Sequence, residues 1–213
     1  MKDADVAKNA GPPTGGVNAS LGGSLLERLR GGQPGAWERL ARLYGETVYG
    51  WCRRAGVPEA DAADVCQEVF AAVARRLADF RRERPGDSFR GWLWTITRNK
   101  VRDHFRRCAD RVQAAGGTTA QQLLHQVPED APPDPEAGPE AEHGGLYRRA
   151  LELIQSEFEE RTWRAFLMVT VEGRAPADVA AELGMTTGTV YAAKSRLLKR
   201  LREEFGELIE EGG

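Results

Sequence analysis

Residues 175–190 read APADVAAELGMTTGTV, and their pattern predicts the fold of the C-terminal part of the chain. Its first nine residues predict a short helix, because Pro176 suits a first helical turn. Gly184 follows at the position where a left-handed helix end favours glycine. Thr186 then supplies a hydroxyl N-cap for a second helix that runs through about Phe205. Two helices joined by a short turn containing glycine are the signature of a helix-turn-helix motif.

The second helix of this motif has two different faces. Its inward stripe is predicted to hold Val190, Ala193, Leu197 and Leu201. Its outward face mixes hydrogen-bonding and basic side chains, which are needed to anchor on phosphates and to read base edges. The candidate DNA-binding residues are Thr186, Thr187, Thr189, Tyr191, Lys194, Ser195, Arg196 and Lys199. A plain helical hairpin with solvated cations is the alternative, and the glycine turn, hydroxyl cap and basic face together favour DNA binding.

The remainder of the chain also predicts helices, without strand-like alternation of useful length. Ser24 and Glu27 form a capping box at the start of the ordered part. Further helices are predicted from near Pro34, over 59–80, from Ser88 to about Arg107, and over 146–171. The predicted fold class is therefore all-α, with two small helical domains joined by a flexible acidic, proline-rich linker.

The predicted domain boundaries follow composition. Residues 1–23 are rich in Gly, Ala, Asn and Pro, and are predicted to be a disordered tail. A first helical domain covers 24–108 and a second covers 146–213. The segment 109–145 between them is the linker, because its acidic, proline-rich half cannot bury enough apolar surface to offset its ordering entropy.

Bulk properties exclude several classes of protein. The net charge of the 213 residues is −2, but basic residues concentrate in 98–107 and 194–202, where local stripes favour phosphate contact. The three cysteines lie at wide spacings and are expected to be free thiols, with no metal site and no cofactor. No phosphate loop or nucleophile–base pair appears, so an enzyme is not expected. Without an apolar secretory segment or a membrane span, a cytoplasmic protein that does not contact membranes is expected.

The predicted fourth helix carries a second candidate nucleic-acid surface. Residues 89–100 read FRGWLWTITRNK, which interleaves aromatic, hydrogen-bonding and cationic side chains. This combination holds single-stranded DNA, with cations on phosphates and ring faces or amides on unstacked bases. Trp92 and Leu93 are expected to belong to the core instead. On the preceding helix, Asp64 and Gln67 form a polar face that suits a basic partner helix, although a solvated surface also explains it.

These residues resemble the extracytoplasmic-function group of RNA polymerase sigma factors, which retain conserved regions two and four. The pattern D64xxQ67xxF70, followed by F89xxW92L93xxI96xxN99, is similar to region two. Residues 172–173, 179–180, 183–184 and 188–190 are similar to region four. The resemblance covers roughly 24–108 and 146–206.

The resemblance implies three partner surfaces. The polymerase-binding set, which would dock on the β′ clamp helices, is Asp61, Asp64, Gln67, Glu68 and Phe70. The set implied for the minus-ten element, with the turn at 81–88, is Ser88, Phe89, Trp94, Arg98, Asn99, Lys100, Arg102 and Arg106. The helix-turn-helix would read the minus-35 element, and the acidic linker would pass near the RNA exit path. Expected partners are core polymerase (β′ clamp helices and β flap), promoter DNA and, as in many members of the group, an anti-sigma protein.

The sequence departs from the family pattern within region four. Ala175 and Pro176 replace the usual Ser or Thr before the first helix, and Tyr191, Ala192 and Ala193 replace usual polar residues. The promoter sequence therefore does not follow from the resemblance. One alternative is a helix-turn-helix regulator that binds duplex DNA by itself, usually as a dimer. Another is a helical adaptor that does not bind DNA, which would leave both basic segments unexplained.

Overall fold

The computed structural model describes residues 24–84, 87–114 and 139–209 of the chain. This part of the chain is helical, and its sequence order is α1 (Leu25–Arg30), α2 (Ala36–Arg54), α3 (Glu59–Arg76), α4 (Phe89–Ala114), α5 (Pro139–Ile154), α6 (Glu160–Thr170), α7 (Pro176–Leu183) and α8 (Thr187–Ile209). The all-α fold class is confirmed. Among these helices, none is both long and apolar enough to cross a membrane.

The N-terminal helices begin and end close to their predicted positions. The capping box at α1 is present, since Ser24 Oγ accepts from the Glu27 amide and the Glu27 carboxylate accepts from the Ser24 amide. Helix α2 begins at Ala36, after Gly35 adopts a φ of 76°, and not at Pro34. Helix α3 ends at Arg76, and a 3-10 turn over Leu77–Asp79 completes the segment predicted as one helix.

Helix α4 is longer than predicted. It extends to Ala114, beyond the end predicted near Arg107. Ser88 caps its first turn, where Ser88 Oγ accepts from the Gly91 amide at 3.1 Å. The extra turns fall within the segment predicted as linker, of which residues 115–138 lie outside the described part of the chain.

The single helix predicted over 146–171 is wrong, because the chain there forms two helices. Helix α5 ends at Ile154, a 3-10 turn follows over Gln155–Glu157, and Phe158 is extended with φ −120° and ψ 147°. Phe158 packs its ring against the apolar core, which bends the chain before α6 begins. Helix α5 also begins at Pro139, inside the predicted linker, where proline suits a first helical turn.

The helix-turn-helix is formed as predicted by α7 and α8. Gly184 is left-handed, with φ 59° and ψ 42°. The Met185 amide donates to Ala180 O at 2.8 Å and the Gly184 amide donates to Ala181 O, which is the Schellman pattern of a helix end. Thr186 Oγ1 accepts from the Thr189 amide at 3.1 Å and caps α8.

One apolar cluster joins the two ends of the chain. It contains the buried side chains of α1 to α4, among them Tyr44, Trp51 and Phe89, and it continues into α5 and the last turns of α8. Smaller clusters lie around the helix-turn-helix, including one formed by Trp163, Phe166 and Leu197. The two predicted helical domains therefore pack against each other through apolar side chains. The prediction of two domains joined by a flexible linker did not include this contact.

Candidate nucleic-acid interface

The recognition face of α8 is exposed. The predicted inward stripe of Val190, Ala193, Leu197 and Leu201 is confirmed as buried. Of the residues predicted to face DNA, only Lys194 is half-buried; the exposed ones are Thr186, Thr187, Thr189, Tyr191, Ser195, Arg196 and Lys199. Tyr191 is 58% exposed, which is unusual for so large a ring in a folded domain. The arrangement leaves one side of α8 open to a large partner.

Arg161 of α6 holds the turn between α7 and α8. Its Nε donates to Leu183 O at 2.8 Å, and its Nη2 donates to the carbonyls of Leu183 and Gly184. These carbonyls lie at the end of α7, where helical partners are missing and an arginine can replace them. Arg161 is not among the residues predicted from the sequence, because it lies 22 residues before Leu183 and no local pattern connects the two.

An open groove of about 660 Å³ runs beside the start of α8. Its polar lining includes Arg161, Thr186, Thr189 and Arg196 together with the carboxylates of Glu157 and Glu159. The hydroxyl and guanidinium groups suit a phosphate backbone that passes the N-terminal end of a recognition helix, and Glu157 is already paired with Arg200 at 2.6 Å.

Phe89 and Trp94, which were predicted to contact the minus-ten element, are core residues. Phe89 is 0% exposed and packs against Tyr44 and Phe80, with centroid distances of 5.4 Å to each ring. Trp94 is 6% exposed and meets the ring of Trp51 edge-on at 5.5 Å. Neither ring presents a face on which a base could stack, so we remove both from the candidate site.

The basic side chains of α4 surround an exposed asparagine. Asn99 is exposed, and Arg98, Lys100 and Arg102 are half-buried beside it. Arg106 is exposed and pairs with Asp103 at 3.5 Å, and Lys100 also lies 3.6 Å from Asp103. The structure therefore brings the predicted cations and Asn99 together along one helix.

The turn before α4 is organised by an aspartate. Asp87 Oδ2 accepts from the amides of Glu83 at 3.0 Å and Arg84 at 2.8 Å. Arg82 Nε donates to the carbonyl of Asp87 at 3.1 Å. These bonds position Ser88 at the start of α4, and the sequence analysis did not identify Asp87 as their source. An aspartate in a turn commonly binds nearby backbone in this way.

The predicted polymerase-binding residues lie on α3 beside the basic side of α4. Asp64 and Gln67 are exposed, whereas the ring of Phe70 packs partly against the core. Asp61 Oδ2 lies 3.8 Å from Nε2 of His104 on α4. Glu68 bridges the two helices. Its carboxylate accepts hydrogen bonds from Arg107 Nη2 at 2.8 Å and Arg107 Nη1 at 3.2 Å, and it lies 3.9 Å from Lys100 Nζ. Glu68 thus joins the acidic surface to the basic one.

The cysteines are free thiols, as predicted. Cys52 on α2 is buried, and its hydrogen bond with Cys66 on α3 lowers the pKa of the Cys66 thiol. The same hydrogen bond, together with burial, raises the pKa of the Cys52 thiol. This pair lies inside the helix packing that supports the polar face of α3.

Comparison with known proteins gives a consistent family. The family model for sigma-70 region 2 matches residues 40–111. The ECF RNA polymerase sigma factor BldN of Streptomyces coelicolor is 28% identical over 177 residues, which cover 83% of this chain and 63% of BldN. The chain thus spans slightly less than two thirds of that relative's length. The solved structure of CnrH in complex with the cytosolic domain of CnrY is 24% identical, covers 83% of this chain and 92% of CnrH, and superposes with a TM-score of 0.34.

A further relative has a higher sequence identity to this chain. The ECF RNA polymerase sigma factor SigD of Mycobacterium tuberculosis is 33% identical over 162 residues, which cover 74% of this chain and 71% of SigD. The chain therefore belongs to the ECF RNA polymerase sigma factors.

Proposed function

We propose that this chain binds core RNA polymerase and directs it to promoters, where it takes part in opening the DNA. The observation that carries the proposal is the pairing of α3 and α4, which sets the acidic face of α3 directly beside the basic side of α4, with Glu68 and Arg107 bridging the two. A subunit that must hold a polymerase and unstacked DNA at neighbouring points needs such a pair of faces. The exposed recognition helix α8 supplies a separate surface for duplex DNA.

The minus-ten element is the proposed ligand of α4. Asn99 would hydrogen-bond an unstacked base, because an exposed amide can both donate and accept. The cations Arg98, Lys100, Arg102 and Arg106 would hold the flanking phosphates. Ser88 contributes by capping α4 beside the turn organised by Asp87. Phe89 and Trp94 support this surface from the core and do not contact DNA.

The minus-35 element is the proposed ligand of α8. Tyr191 and Ser195 are exposed within the first turns, where a recognition helix reaches base edges. Arg196 and Lys199 lie further along, where cations contact phosphates. Thr186 and Thr189 already share a hydrogen bond at the helix start, with 2.8 Å between their hydroxyl oxygens.

The polymerase is the proposed partner of α3. Asp64, Gln67 and Glu68 form its polar face, which we propose docks on the β′ clamp helices, while the second half of the chain contacts the β flap. The sigma factor RpoE from Bartonella quintana has been solved in complex with the anti-sigma factor NepR, and we propose an anti-sigma protein as a further partner of this chain. As a transcription factor of this kind, the chain would act in the cytoplasm and without catalytic activity of its own.

The test is run-off transcription with bacterial core polymerase on a sheared genomic library, with and without the purified chain. Discrete chain-dependent transcripts are expected, and Asn99→Ala and Gln67→Ala should abolish them. Arg42→Ala is a matched control, because Arg42 is exposed on α2, a helix that carries neither of the two faces. Duplex binding by the chain alone, with neither transcripts nor co-purification with core polymerase, would instead identify a helix-turn-helix regulator.

A further inference from the structure

The last turns of α8 are buried against the N-terminal helices. Leu201, Phe205 and Leu208 are at most 7% exposed and belong to the same apolar cluster as Leu26 of α1 and Leu40 of α2. The hydroxyl of Tyr44 donates to the carbonyl of Leu208 in this interface. The recognition helix is therefore attached at its C-terminal end to the part of the chain that carries the candidate minus-ten surface.

A buried carboxylate lies in the middle of this contact. Glu204 is 0% exposed, and its carboxylate pairs with Arg28 of α1 and with Arg39 of α2, whose Nε lies 3.0 Å from Oε1. Arg200, one turn earlier on α8, pairs with Oε2 at 2.6 Å. The guanidinium of Arg39 also lies over the ring of Phe205, 5.9 Å from its centroid. We name Glu204, Arg28 and Arg39 the interdomain clamp.

A second set of polar contacts joins α5 to α2. Arg149 Nε donates to the carbonyl of Leu43 at 2.7 Å, and its Nη atoms lie 2.8 Å from Glu46 and from Thr47. Arg39 Nη2 donates to the carbonyl of Leu153 at 3.2 Å. Charged side chains from both halves thus satisfy partners in the opposite half, which is typical of a specific contact.

This closed arrangement conflicts with simultaneous binding of two promoter elements. Elements centred near minus ten and minus 35 are about 25 base pairs apart, or roughly 85 Å along the duplex at about 3.4 Å per step. In α8, Tyr191 precedes Glu204 by 13 residues, which corresponds to about 20 Å of helix. The N-terminal helical domain that Glu204 contacts measures only about 30 Å across for its size. The two candidate DNA surfaces cannot reach both elements while the halves remain in contact.

We propose that the interdomain clamp holds the chain in a closed form, and that the clamp must break before both promoter elements can be bound together. This inference rests on the proposed function for its consequence, but the clamp itself is a property of the isolated chain. A buried charge that loses one partner is strongly disfavoured, so the clamp opens as a unit and not by gradual loosening.

The clamp is tested in the full chain by small-angle scattering and amide hydrogen exchange. A compact chain of this length has a radius of gyration of about 17 Å before any contribution from its tail. Glu204→Gln should raise the radius by roughly 5 Å or more, as two bodies of this size separate. It should also speed exchange of the α1 amides by about tenfold or more, because α1 loses its cover. Far-UV circular dichroism should stay unchanged, since each helix keeps its own backbone bonds.

Glu203→Gln is the matched control, because Glu203 neighbours Glu204 on α8 but is exposed and pairs only with Lys199, at 3.6 Å, among the contacts described. This control should leave both the radius and the exchange unchanged. Should Glu204→Gln prevent folding, Arg39→Gln tests the same clamp from the α2 side without altering α8. Equal radii and equal α1 exchange in the wild type and in the folded clamp variant would overturn the proposal.

Transcription separates the clamp from the proposed function. With the chain in limiting amount and core polymerase in excess, Glu204→Gln should raise the yield of chain-dependent transcripts several-fold, because less of the chain is closed. If Glu204→Gln has a larger radius of gyration but no variant gives transcripts, the result would support the proposed clamp and reject the sigma role. Chain-dependent transcripts with no change in radius, exchange or yield would support the sigma role and reject the clamp.

Discussion

At the scale of single residues, burial separates side chains that the sequence places side by side. Phe89 and Asn99 lie on the same helix and in the same family pattern, yet Phe89 is fully buried and Asn99 is exposed. We expect Phe89→Ala to lower the free energy of unfolding by about 3–5 kcal/mol, because it leaves a cavity among Tyr44, Phe80 and Trp92. Urea denaturation measures this loss. A fall in DNA binding by a Phe89→Leu chain with unchanged stability would show that the ring contacts DNA after all.

Two exposed residues of α8 are expected to differ in how they bind DNA. Tyr191→Ala should weaken binding to the preferred minus-35 sequence by about 1–3 kcal/mol, because a base contact is lost. It should also relax discrimination at one or two base pairs. Lys199→Ala should weaken binding to all DNA sequences alike, because a phosphate contact is lost. The slope of log affinity against log salt concentration should fall by about 1. Titrations of the polymerase complex on matched and mismatched duplexes at several salt concentrations distinguish these effects. The assignment would be reversed if Lys199→Ala changed sequence preference and Tyr191→Ala changed the salt slope.

At the scale of elements, the turn between α7 and α8 sets the direction of the recognition helix. Gly184 is left-handed, and a Cβ there would lie 3.1 Å from Arg161 Nη2. Gly184→Ala should therefore lower the free energy of unfolding by about 1 kcal/mol or more, since both backbone strain and a close contact are introduced. Thermal unfolding measures the loss. Gly188→Ala is the control, because Gly188 lies in α8 with ordinary space around it.

Arg161 should act on DNA binding through this turn. Arg161→Met removes the donors to the Leu183 and Gly184 carbonyls while keeping a long apolar stem. We expect several-fold weaker binding to the minus-35 element with little loss of helix content, because α8 is held less firmly against α7. Arg164→Met on the same helix serves as the control. Equal binding by both variants would show that the turn needs no support from α6.

At the scale of the whole molecule, the shared core couples the two ends of the chain. The apolar cluster continues from α1 through α4 into α5 and α8, so neither half keeps its full buried surface when the other unfolds. Calorimetry should show one transition whose van't Hoff and calorimetric enthalpies agree. Glu204→Gln should separate it into two transitions, whereas Glu203→Gln should not. Two well-resolved transitions in the wild type would mean that the halves unfold independently.

Features that depend on neighbouring residues could be predicted from the sequence. The all-α class, the capping box at α1, the glycine turn at Gly184, the Thr186 cap and the buried stripe of α8 all follow from spacing and local backbone preference. Such signals act within one or two helical turns, so no knowledge of tertiary contacts is needed to predict them. The proposed DNA-binding and polymerase-binding residues were also selected in this way, and their roles stay predictions.

Which aromatic side chains are buried, and how the two halves of the chain pack together, became known from the folded structure. Phe89 and Trp94 read as a stacking surface in the sequence, because hydrophobic periodicity cannot tell which aromatic rings face the core. The helix predicted over 146–171 is interrupted after Ile154, where a 3-10 turn precedes Phe158, whose half-buried ring packs against the core. Arg161 and Glu204 find their partners 22 and more than 160 residues away in the chain, beyond the reach of any local pattern. Contacts of that kind arise only when the whole chain is folded, because burial and charge pairing are set by distant segments.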